Sequence, residues 1–363
     1  MVHLWLRAET KLNEARSALT PSIAKTLLAN DFTITVEKCN QRIFKDDEFT
    51  SVGCTLVEKG TWRSAPKDAY IIGLKELPEN DDSPLHHTHI MFAHCYKEQD
   101  GWADVLSRFV RGNGLLLDIE FLMLNNRRVA AYGYYAGFAG CAVGLDVWAH
   151  QILTPNQVYP KINPYPNEAL LISHTKKRLA EALEKSGKSP SVMVMGAKGR
   201  CGTGATDFAK KAGIDSSKIV EWDMAETAKG GPFSEILEQD IFVNCIYLSK
   251  PIPPFLTKEM LDGPKKLSVV SDVSCDATNP HNPIPVYFGA TTFDKPLINV
   301  QSKTNPVDVI AIDHLPTLLP REASDMFSAD LLPSLLALKD RHASSVWSDA
   351  EKLYNEKVKT LPK

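Results

Sequence analysis

The chain lacks the features that mark several classes of protein. Its longest apolar runs fall far short of the ~18–20 residues that are needed to cross a bilayer. Its formal net charge of −3 gives no electrostatic reason to expect binding to nucleic acid or to an anionic membrane. Internal repeats and low-complexity segments are absent as well. We therefore expect a soluble globular protein whose partners are small molecules, not nucleic acids or membranes.

Cysteine is too scarce and too scattered for a secreted disulfide scaffold, since the chain holds seven, an odd number. The first residues, MVHLWLRAE, favour a strand over a signal peptide. The chain ends in TLPK, which is not a peroxisomal tripeptide, although import together with a partner would not need one. We expect a cytoplasmic protein.

The length of 363 residues predicts two domains, at about 150 residues each, and an apolar content of 44% is ample for their cores. Short apolar strands alternate with helical segments, which predicts an α/β layer structure. Residues 134–153 are small and apolar, and we predict a helix there that connects two lobes. Residues 154–167 hold four prolines and predict a linker. We assign residues 1–133 and 322–363 to a first lobe and residues 134–321 to a second.

The most informative stretch is residues 192–209, where a short apolar run meets a cluster of glycines. It begins VMVMGAKGRCGTGA, and small or apolar residues then continue at helical spacing. This pattern predicts a strand that turns sharply into a helix whose N-terminal N–H groups would bind a pyrophosphate. Ala197 and Lys198 separate the first two glycines, unlike the usual Gly-x-Gly-x-x-Gly. An ordinary strand–helix turn is therefore the alternative.

A carboxylate follows at a suitable distance. The predicted strand Ile-Val-Glu-Trp ends at Asp223, which lies 21 positions after Gly202. A carboxylate at about this distance binds the ribose diol of a dinucleotide, and it would repel a 2′-phosphate. The sequence therefore predicts NAD, in preference to NADP, as the cofactor.

Several histidines in the first lobe suggest a metal site, but no His-x-x-x-His or Cys-x-x-Cys spacing accompanies them. We predict no metal. His94 differs from the others because it terminates an apolar strand, at the sheet edge where α/β proteins bind ligands. A structural or surface role is the alternative for a lone histidine.

Lys75 occupies the corresponding place at the end of another predicted strand. Partial burial would lower its pKa and let it act as a base. Pairing with Glu76 or Glu120 would instead keep it charged, and an ordinary surface lysine is the third interpretation. Three arginines could bind substrate carboxylates through two parallel hydrogen bonds, or could form surface salt bridges. They are Arg16, Arg127 and Arg128.

A set of short motifs occurs in one order along nearly the whole chain. They are KELP, His94, RRVAAYG, GRCG-x-GA, DVS-x-D-x-x-NP and IDHLP. Together they closely resemble the fungal, NAD-dependent, L-lysine-forming saccharopine dehydrogenase family. A more distant resemblance extends to alanine dehydrogenase and to the nucleotide domain of transhydrogenase.

The resemblance implies two Rossmann-like lobes with parallel sheets flanked by helices, an active site in the cleft between the lobes, and a monomer. It implies that saccharopine, NAD and water give L-lysine, 2-oxoglutarate and NADH, in the last step of the α-aminoadipate pathway of lysine biosynthesis. An alanine-dehydrogenase-like amino-acid oxidoreductase is the alternative enzyme, and it would need fewer arginines. A regulatory NAD-binding protein without turnover is the alternative from another class, which the presence of both Lys75 and His94 disfavours.

The resemblance also implies site residues. Lys75 and His94 resemble the acid–base pair. The implied substrate contacts are Arg16, Lys75, Arg128, Tyr132, Ser274, Cys275 and Asp276. The implied nucleotide contacts are Arg127, Gly199, Arg200, Asp223, Thr227, Tyr247, Val273, Ile312, Asp313, His314 and Leu315. Cys201 and Cys245 match a pair that can form a disulfide in this family, and Cys275 stands where a smaller residue is expected.

Overall fold

The computed structural model describes residues 1–78, 80–275, 277 and 279–362. The strands are β1 Val2–Leu6, β2 Phe32–Glu37, β3 Thr55–Val57, β4 Tyr70–Ile72, β5 Thr88–Met91, β6 Leu115–Asp118, β7 Met123–Leu124, β8 Arg127–Arg128, β9 Val192–Met195, β10 Ile219–Trp222, β11 Ile241–Asn244, β12 Val269–Asp272, β13 Ile298–Val300 and β14 Val307–Ile310. The helices are α1 Pro21–Leu28, α2 Asp46–Ser51, α3 Trp102–Gly112, α4 Gly133–Leu153, α5 Glu168–Ser186, α6 Arg200–Lys211, α7 Met224–Thr227, α8 Lys258–Leu261, α9 Pro320–Leu336 and α10 Ser345–Val358.

The chain forms two compact units. The first comprises Met1–Ala131 and Pro320–Lys363, and the second comprises Tyr132–Leu319. In the first unit, parallel strands lie in the order β3-β2-β1-β4-β5-β6. The sheet order reverses between β1 and β4, which makes the carboxyl ends of these two strands the expected place for a ligand.

The second unit is also a largely parallel six-stranded sheet, with the strand order β10-β9-β11-β12-β14-β13, in which only the edge pair β13–β14 is antiparallel among the described pairings. The order reverses between β9 and β11. All four residues of β9 are fully buried, as expected for a parallel strand covered on both faces. The predicted fold class, parallel α/β lobes flanked by helices, is confirmed.

Helices α4 and α6 of the second unit pack with their backbones close together. A Cβ atom added at Gly137 would collide with the carbonyl oxygen of Cys201, and one added at Gly204 would collide with that of Tyr134. Glycine is therefore needed at both positions for the approach of the two helices. The glycines of α4 and α6 thus allow a close helix–helix contact.

Two segments of the first unit form shorter strands than their apolar residues favour. Strand β6 ends at Asp118 although apolar residues follow it, because the Asp118 carboxylate accepts a bond from the Glu120 N–H and so caps a 3-10 turn, Ile119–Phe121. The segment RRVAAY forms only the two-residue strand β8, which pairs with β7 in a separate hairpin. Within the described residues, no helix is long and apolar enough to span a bilayer.

His89 of β5 lies in the apolar core of the first unit and is 0% exposed. Its ring meets Trp62 and Phe109 edge-on, with ring centroids 5.1 Å and 5.4 Å away. Among the described residues, neither ring nitrogen has a hydrogen-bond partner. Burial, followed by the nearby positive groups, lowers the His89 pKa well below its ordinary value. These groups are Arg7, His87, Arg108 and Arg63.

We expect this histidine to make the first unit sensitive to acid. As the pH falls below about 6.5, the unfolded chain binds a proton at His89 that the folded chain does not. The free energy of unfolding therefore falls by up to about 1.4 kcal/mol per pH unit. His89→Phe should remove this contribution. Urea unfolding at about pH 8 and about pH 5.5 should therefore show that the free energy of unfolding falls less in the variant than in the unaltered protein. The exposed control His342→Gln should follow the unaltered protein, and an unchanged pH dependence in His89→Phe would contradict the assignment.

Candidate functional site

The carboxyl ends of three neighbouring strands in the first unit carry acid–base side chains. Lys75 comes three residues after β4, His94 three residues after β5, and Glu120 two residues after β6. Because β4, β5 and β6 are parallel neighbours, these ends lie along one edge of the sheet. The structure thus brings the sequence-predicted Lys75 and His94 to the same edge.

Lys75 is half-buried, and its pKa is lowered by burial first and by the positive charge of Arg16 second, with Glu14 opposing. Arg16 itself is held by two bonds, from Nε to Glu14 Oε1 at 2.8 Å and from Nη2 to Glu14 Oε2 at 2.6 Å. Both of these side chains are buried. The lysine can therefore lose its proton more readily than an exposed lysine.

Glu76 contacts His94 in preference to the neighbouring Lys75. Its Oε2 lies 3.2 Å from Nδ1 of His94, and its Oε1 accepts a bond from Lys11. Burial opposes ionisation of Glu76, but the bonds from His94 and Lys11 lower its pKa below the ordinary range. An ionised Glu76 orients the imidazole of His94 and favours a proton on Nδ1.

The hairpin arginines lie at the surface. Glu120 Oε1 accepts bonds from Lys97 at 2.6 Å and from Arg128 at 3.4 Å. Arg127 and Arg128 are both exposed. Glu120 therefore ties the hairpin that carries Arg128 to the end of β6, and it does not pair with Lys75 among the described contacts.

Asp118 was not predicted as part of the site. It is 1% exposed, and its Oδ2 accepts a bond from the Ala93 N–H, next to His94, at 3.2 Å. Its Oδ1 accepts a bond from the Glu120 N–H at 2.9 Å. Burial raises the pKa of Asp118 to about 7. One buried carboxyl group thus holds two loops of the candidate site.

In the second unit, the glycine stretch forms the predicted strand–turn–helix. Strand β9 leads into a turn at Gly196, whose φ is +85°, and Gly199 is the N-cap of α6. A Cβ atom at Gly202 would collide with the Gly196 carbonyl oxygen, so the turn stays tight only with glycine there. Arg200 is the first residue of α6 and lies at its positive end. This turn can cradle a pyrophosphate.

Asp223 directly follows β10 and is half-buried at the same edge of the second sheet. Its Oδ2 accepts a bond from the Lys198 N–H at 2.8 Å and its Oδ1 one from the Met224 N–H at 2.9 Å. These bonds lower the Asp223 pKa. Thr227 Oγ1 donates to the Asp223 carbonyl oxygen at 2.9 Å. The carboxylate is therefore ionised and oriented by the glycine turn itself.

The loop after β12 carries Val273, Ser274 and Cys275. Cys275 has a φ of +42°, and its Sγ donates to the Ala311 carbonyl oxygen at 2.7 Å. Asp276 lies outside the described residues, so its predicted substrate contact stays a prediction.

Asp272, which the sequence did not single out, is 2% exposed at the end of β12. It accepts bonds from Asn244 Nδ2 at 2.9 Å, from the Tyr287 hydroxyl at 2.7 Å and from the Cys275 N–H at 3.3 Å. It therefore orients the loop that follows β12.

The remaining predicted contacts are also at strand ends or helix starts of the second unit. Tyr132 is the N-cap of α4, and Tyr247 follows β11 and is 62% exposed. Residues 312–315 follow β14. Ile312 and Leu315 are buried, whereas Asp313 is exposed and His314 half-buried. Only the latter pair offers its side chains readily to a ligand.

No disulfide joins Cys201 to Cys245 in this structure, so the pairing that the resemblance implies is not formed here. The two residues are neighbours, since Cys201 is among the groups that shift the pKa of the Cys245 thiol. The pKa of the Cys245 thiol is raised well above its ordinary value, mainly by burial and next by Cys201. A protonated thiol is a poor nucleophile and is slow to oxidise.

Within the described residues, no cluster of His, Cys, Asp and Glu is suited to a metal ion. A cavity of about 530 Å³ lies beneath residues 159–166 in the second unit. None of the predicted site residues lines it. Asp146 lines this cavity and accepts hydrogen bonds from the Tyr159 hydroxyl at 2.6 Å and from Arg178 Nε at 3.2 Å. These three side chains fix the predicted linker, residues 154–167, against helices α4 and α5.

Comparison with known proteins identifies the family. Residues 5–139 match the family model "Alanine dehydrogenase/PNT, N-terminal domain", and residues 216–360 match "Alanine dehydrogenase/PNT, C-terminal domain". A saccharopine dehydrogenase (NAD(+), L-lysine-forming) of Schizosaccharomyces pombe is 60% identical over 99% of both chains. The chain belongs to the saccharopine dehydrogenase family. A member of this family from Emericella nidulans is 57% identical over 99% of this chain and 98% of its own.

The fold of this saccharopine dehydrogenase family member is similar to that of a solved L-alanine dehydrogenase. The TM-score is 0.65 at 15% identity, over 98% of this chain and 94% of the other. At that identity the similarity concerns the fold alone.

We expect Asp223 to set the preference for NAD. Asp223→Ser should weaken NADH binding by about 1–3 kcal/mol, the cost of leaving a hydrogen bond unmade, and should narrow the preference over NADPH. Fluorescence titration with each dinucleotide measures both effects. Glu226→Gln is the matched control, because Glu226 accepts a bond from the Asp223 N–H at 2.8 Å in the same exposed cap. Equal kcat/KM with NAD and NADP in the unaltered protein would contradict the assignment.

Proposed function

We propose that this chain catalyses the NAD-dependent cleavage of saccharopine to L-lysine and 2-oxoglutarate, as the last step of the α-aminoadipate pathway of lysine biosynthesis. The observation that carries the proposal is the full-length identity of 60% to an enzyme named as L-lysine-forming. The half-buried Lys75, with its lowered pKa, supports it, because the reaction needs a base for an amine. His94 on the same sheet edge supports a second proton transfer.

The second unit fits a dinucleotide. The tight turn at Gly196, Gly199 and Gly202 leaves backbone N–H groups at the start of α6 for the pyrophosphate, and Asp223 suits the ribose diol. We propose that Arg127, Arg200, Thr227, Tyr247, Val273 and residues 312–315 complete the binding of NAD. When bound, NAD supplies the acceptor for the hydride that leaves the glutaryl-side carbon of saccharopine.

Lys75 is proposed to prepare the substrate. A secondary amine must be neutral before hydride can leave the adjacent carbon, so its proton must be removed. An amine group with a lowered pKa is unprotonated at a lower pH than an ordinary lysine, and can accept this proton from the substrate nitrogen. Arg16 and Glu14 act on this amine in opposite directions, since the positive Arg16 lowers the Lys75 pKa and the negative Glu14 raises it.

His94 is proposed to act on water. The imine produced by oxidation must be attacked by water, and the resulting carbinolamine must collapse to amine and ketone. His94 can accept a proton from water and return it to the leaving nitrogen. Glu76, which lies 3.2 Å from Nδ1, would hold the ring for both transfers.

Saccharopine carries three carboxylates, which suits a site rich in guanidinium groups. We propose that Arg16 and Arg128 bind substrate carboxylates. Tyr132, Ser274, Cys275 and Asp276 are proposed as further substrate contacts. Glu14 fixes the plane of the Arg16 guanidinium through two bonds. We also propose that the enzyme is a monomer, as the family resemblance implies, and that it is cytoplasmic, as its few and scattered cysteines suggest.

The decisive experiment compares the unaltered protein with Lys75→Met and His94→Gln. Each change removes a proton-transfer group, so turnover of saccharopine should fall by about 10²-fold or more. In the unaltered enzyme the rate should fall as the pH falls and Lys75 becomes protonated, and each variant should lose one ionisation from the pH–rate profile. Initial rates of NADH formation over a pH series measure this.

NADH binding, followed by fluorescence, is the control for these variants. It should barely change, because neither residue belongs to the second unit. A variant with near-normal turnover and an unchanged profile would show that its residue is a bystander. Turnover of L-alanine with NAD, without turnover of saccharopine, would instead favour the alanine-dehydrogenase reaction.

We expect Cys201 to be dispensable for the chemistry. Hydride and proton transfers need no thiol nucleophile, so Cys201→Ser should keep most of the turnover. Cofactor affinity is expected to shift moderately, because Cys201 lies in the first turn of α6. Steady-state assays with saccharopine and NAD measure both effects. Complete loss of turnover in a folded variant would contradict this view of the turn.

A further inference from the structure

The residues that follow β1 lie next to the residues that follow β4, at the reversal point of the first sheet. Leu6 of β1 is in register with Ile72 of β4, and the Arg7 N–H continues the ladder to the Ile72 carbonyl oxygen at 3.0 Å. Arg7 and Glu9 are 1% and 4% exposed. Two buried charged groups therefore lie beside the strand that leads to Lys75.

Glu9 binds the backbone on the N-terminal side of Lys75. Its Oε1 accepts a bond from the Leu74 N–H at 2.6 Å, and its Oε2 accepts one from the Lys75 N–H at 3.0 Å. Both oxygens of one carboxylate are thus used by successive peptide groups. Bonds from N–H groups to a carboxylate are among the stronger hydrogen bonds of proteins.

Arg7 binds the other side of the same residue. Its Nη2 donates to the Lys75 carbonyl oxygen, and its Nη1 lies 3.6 Å from Glu9 Oε2. Gly73 leaves space for this guanidinium, since a Cβ atom there would collide with it. Each charged group compensates the other in a place where an unpaired charge would be costly.

We propose that Arg7 and Glu9 form a positioning pair that clamps the peptide groups of Lys75 and thereby sets where its amine lies for catalysis. The proposal rests on the proposed function of Lys75. Neither Arg7 nor Glu9 needs to touch the substrate. Their effect is transmitted through the backbone of one residue, which the pair binds at both its N–H and its carbonyl group.

The test is Glu9→Gln, with Glu37→Gln as the matched control. Glu37 is a carboxylate of the same unit, 1% exposed. It also accepts backbone bonds, from Ala8 at 3.0 Å, Gly60 at 2.9 Å and Trp62 at 2.7 Å. It makes no described contact with Lys75. Both variants lose a buried charge, so a general loss of stability should be similar in the two.

Glu9→Gln should lower kcat by about 10-fold or more, as expected when a reacting group is displaced, with little change in the KM for NAD. Glu37→Gln, compared at a temperature where both variants are folded, should keep near-normal kcat. Glu9→Asp should recover part of the loss, because it restores a carboxylate. Arg7→Lys, which keeps the charge but loses the planar fork, should behave like Glu9→Gln and serves if Glu9→Gln does not fold.

A second readout does not depend on turnover. The rate at which an amine-reactive reagent labels Lys75 is measured by mass spectrometry over a pH series. In Glu9→Gln the midpoint of this labelling should move upward, towards that of the exposed lysines, because the amine is no longer held in its half-buried place. In Glu37→Gln it should stay where it is in the unaltered protein.

The outcomes separate this inference from the proposed function. If the labelling midpoint moves in Glu9→Gln but saccharopine is not a substrate of the unaltered protein, the clamp stands and the proposed function fails. If saccharopine is turned over but the two Gln variants lose the same activity and label alike, the pair is merely structural and the inference is overturned.

Discussion

Buried carboxylates that accept backbone N–H groups organise both units of this protein. Glu9 binds the peptides of residues 74 and 75, and Asp118 binds those of residues 93 and 120. Asp272 does the same for the loop after β12. Burial of a carboxylate is costly unless its oxygens accept hydrogen bonds. Each of these loops is therefore stabilised in the conformation that directs its N–H groups at the buried carboxylate. The geometry of the candidate site is therefore a consequence of how these acids are hydrogen-bonded.

The two units differ in the chemical groups that lie at the edges of their sheets. In the first, these groups are side chains: Lys75 with a lowered pKa, and His94 beside the ionised Glu76. In the second, they are backbone N–H groups and the Asp223 carboxylate. Proton transfer needs side chains that titrate, whereas a dinucleotide is bound largely by main-chain donors. The two largely parallel sheets thus present different groups at their edges, titratable side chains in the first unit and backbone donors with a carboxylate in the second.

Local sequence patterns predicted much of this. The glycine stretch predicted the strand–turn–helix of β9 and α6, and the short apolar run before Asp223 predicted β10, because turn and strand signals depend on neighbours in the chain. The positions of Lys75 and His94 after apolar runs predicted their sheet edge. The bonds of Glu9 and Asp118 could not be predicted, since they join residues 65 and 25 positions apart. Nor does the apolar pattern after Leu115 indicate that β6 ends at Asp118, which caps the following 3-10 turn.

The contact of α4 with α6 has a consequence for protein engineering. Replacing a helical glycine by alanine is a common way to gain about 1 kcal/mol of helix propensity. At Gly137 and Gly204 the gain is unreachable, because the new methyl group would take the place of a facing carbonyl oxygen. Selection for thermostability would have to act elsewhere in the second unit. The closeness of the two helices thus fixes part of the sequence for reasons that have nothing to do with the ligand.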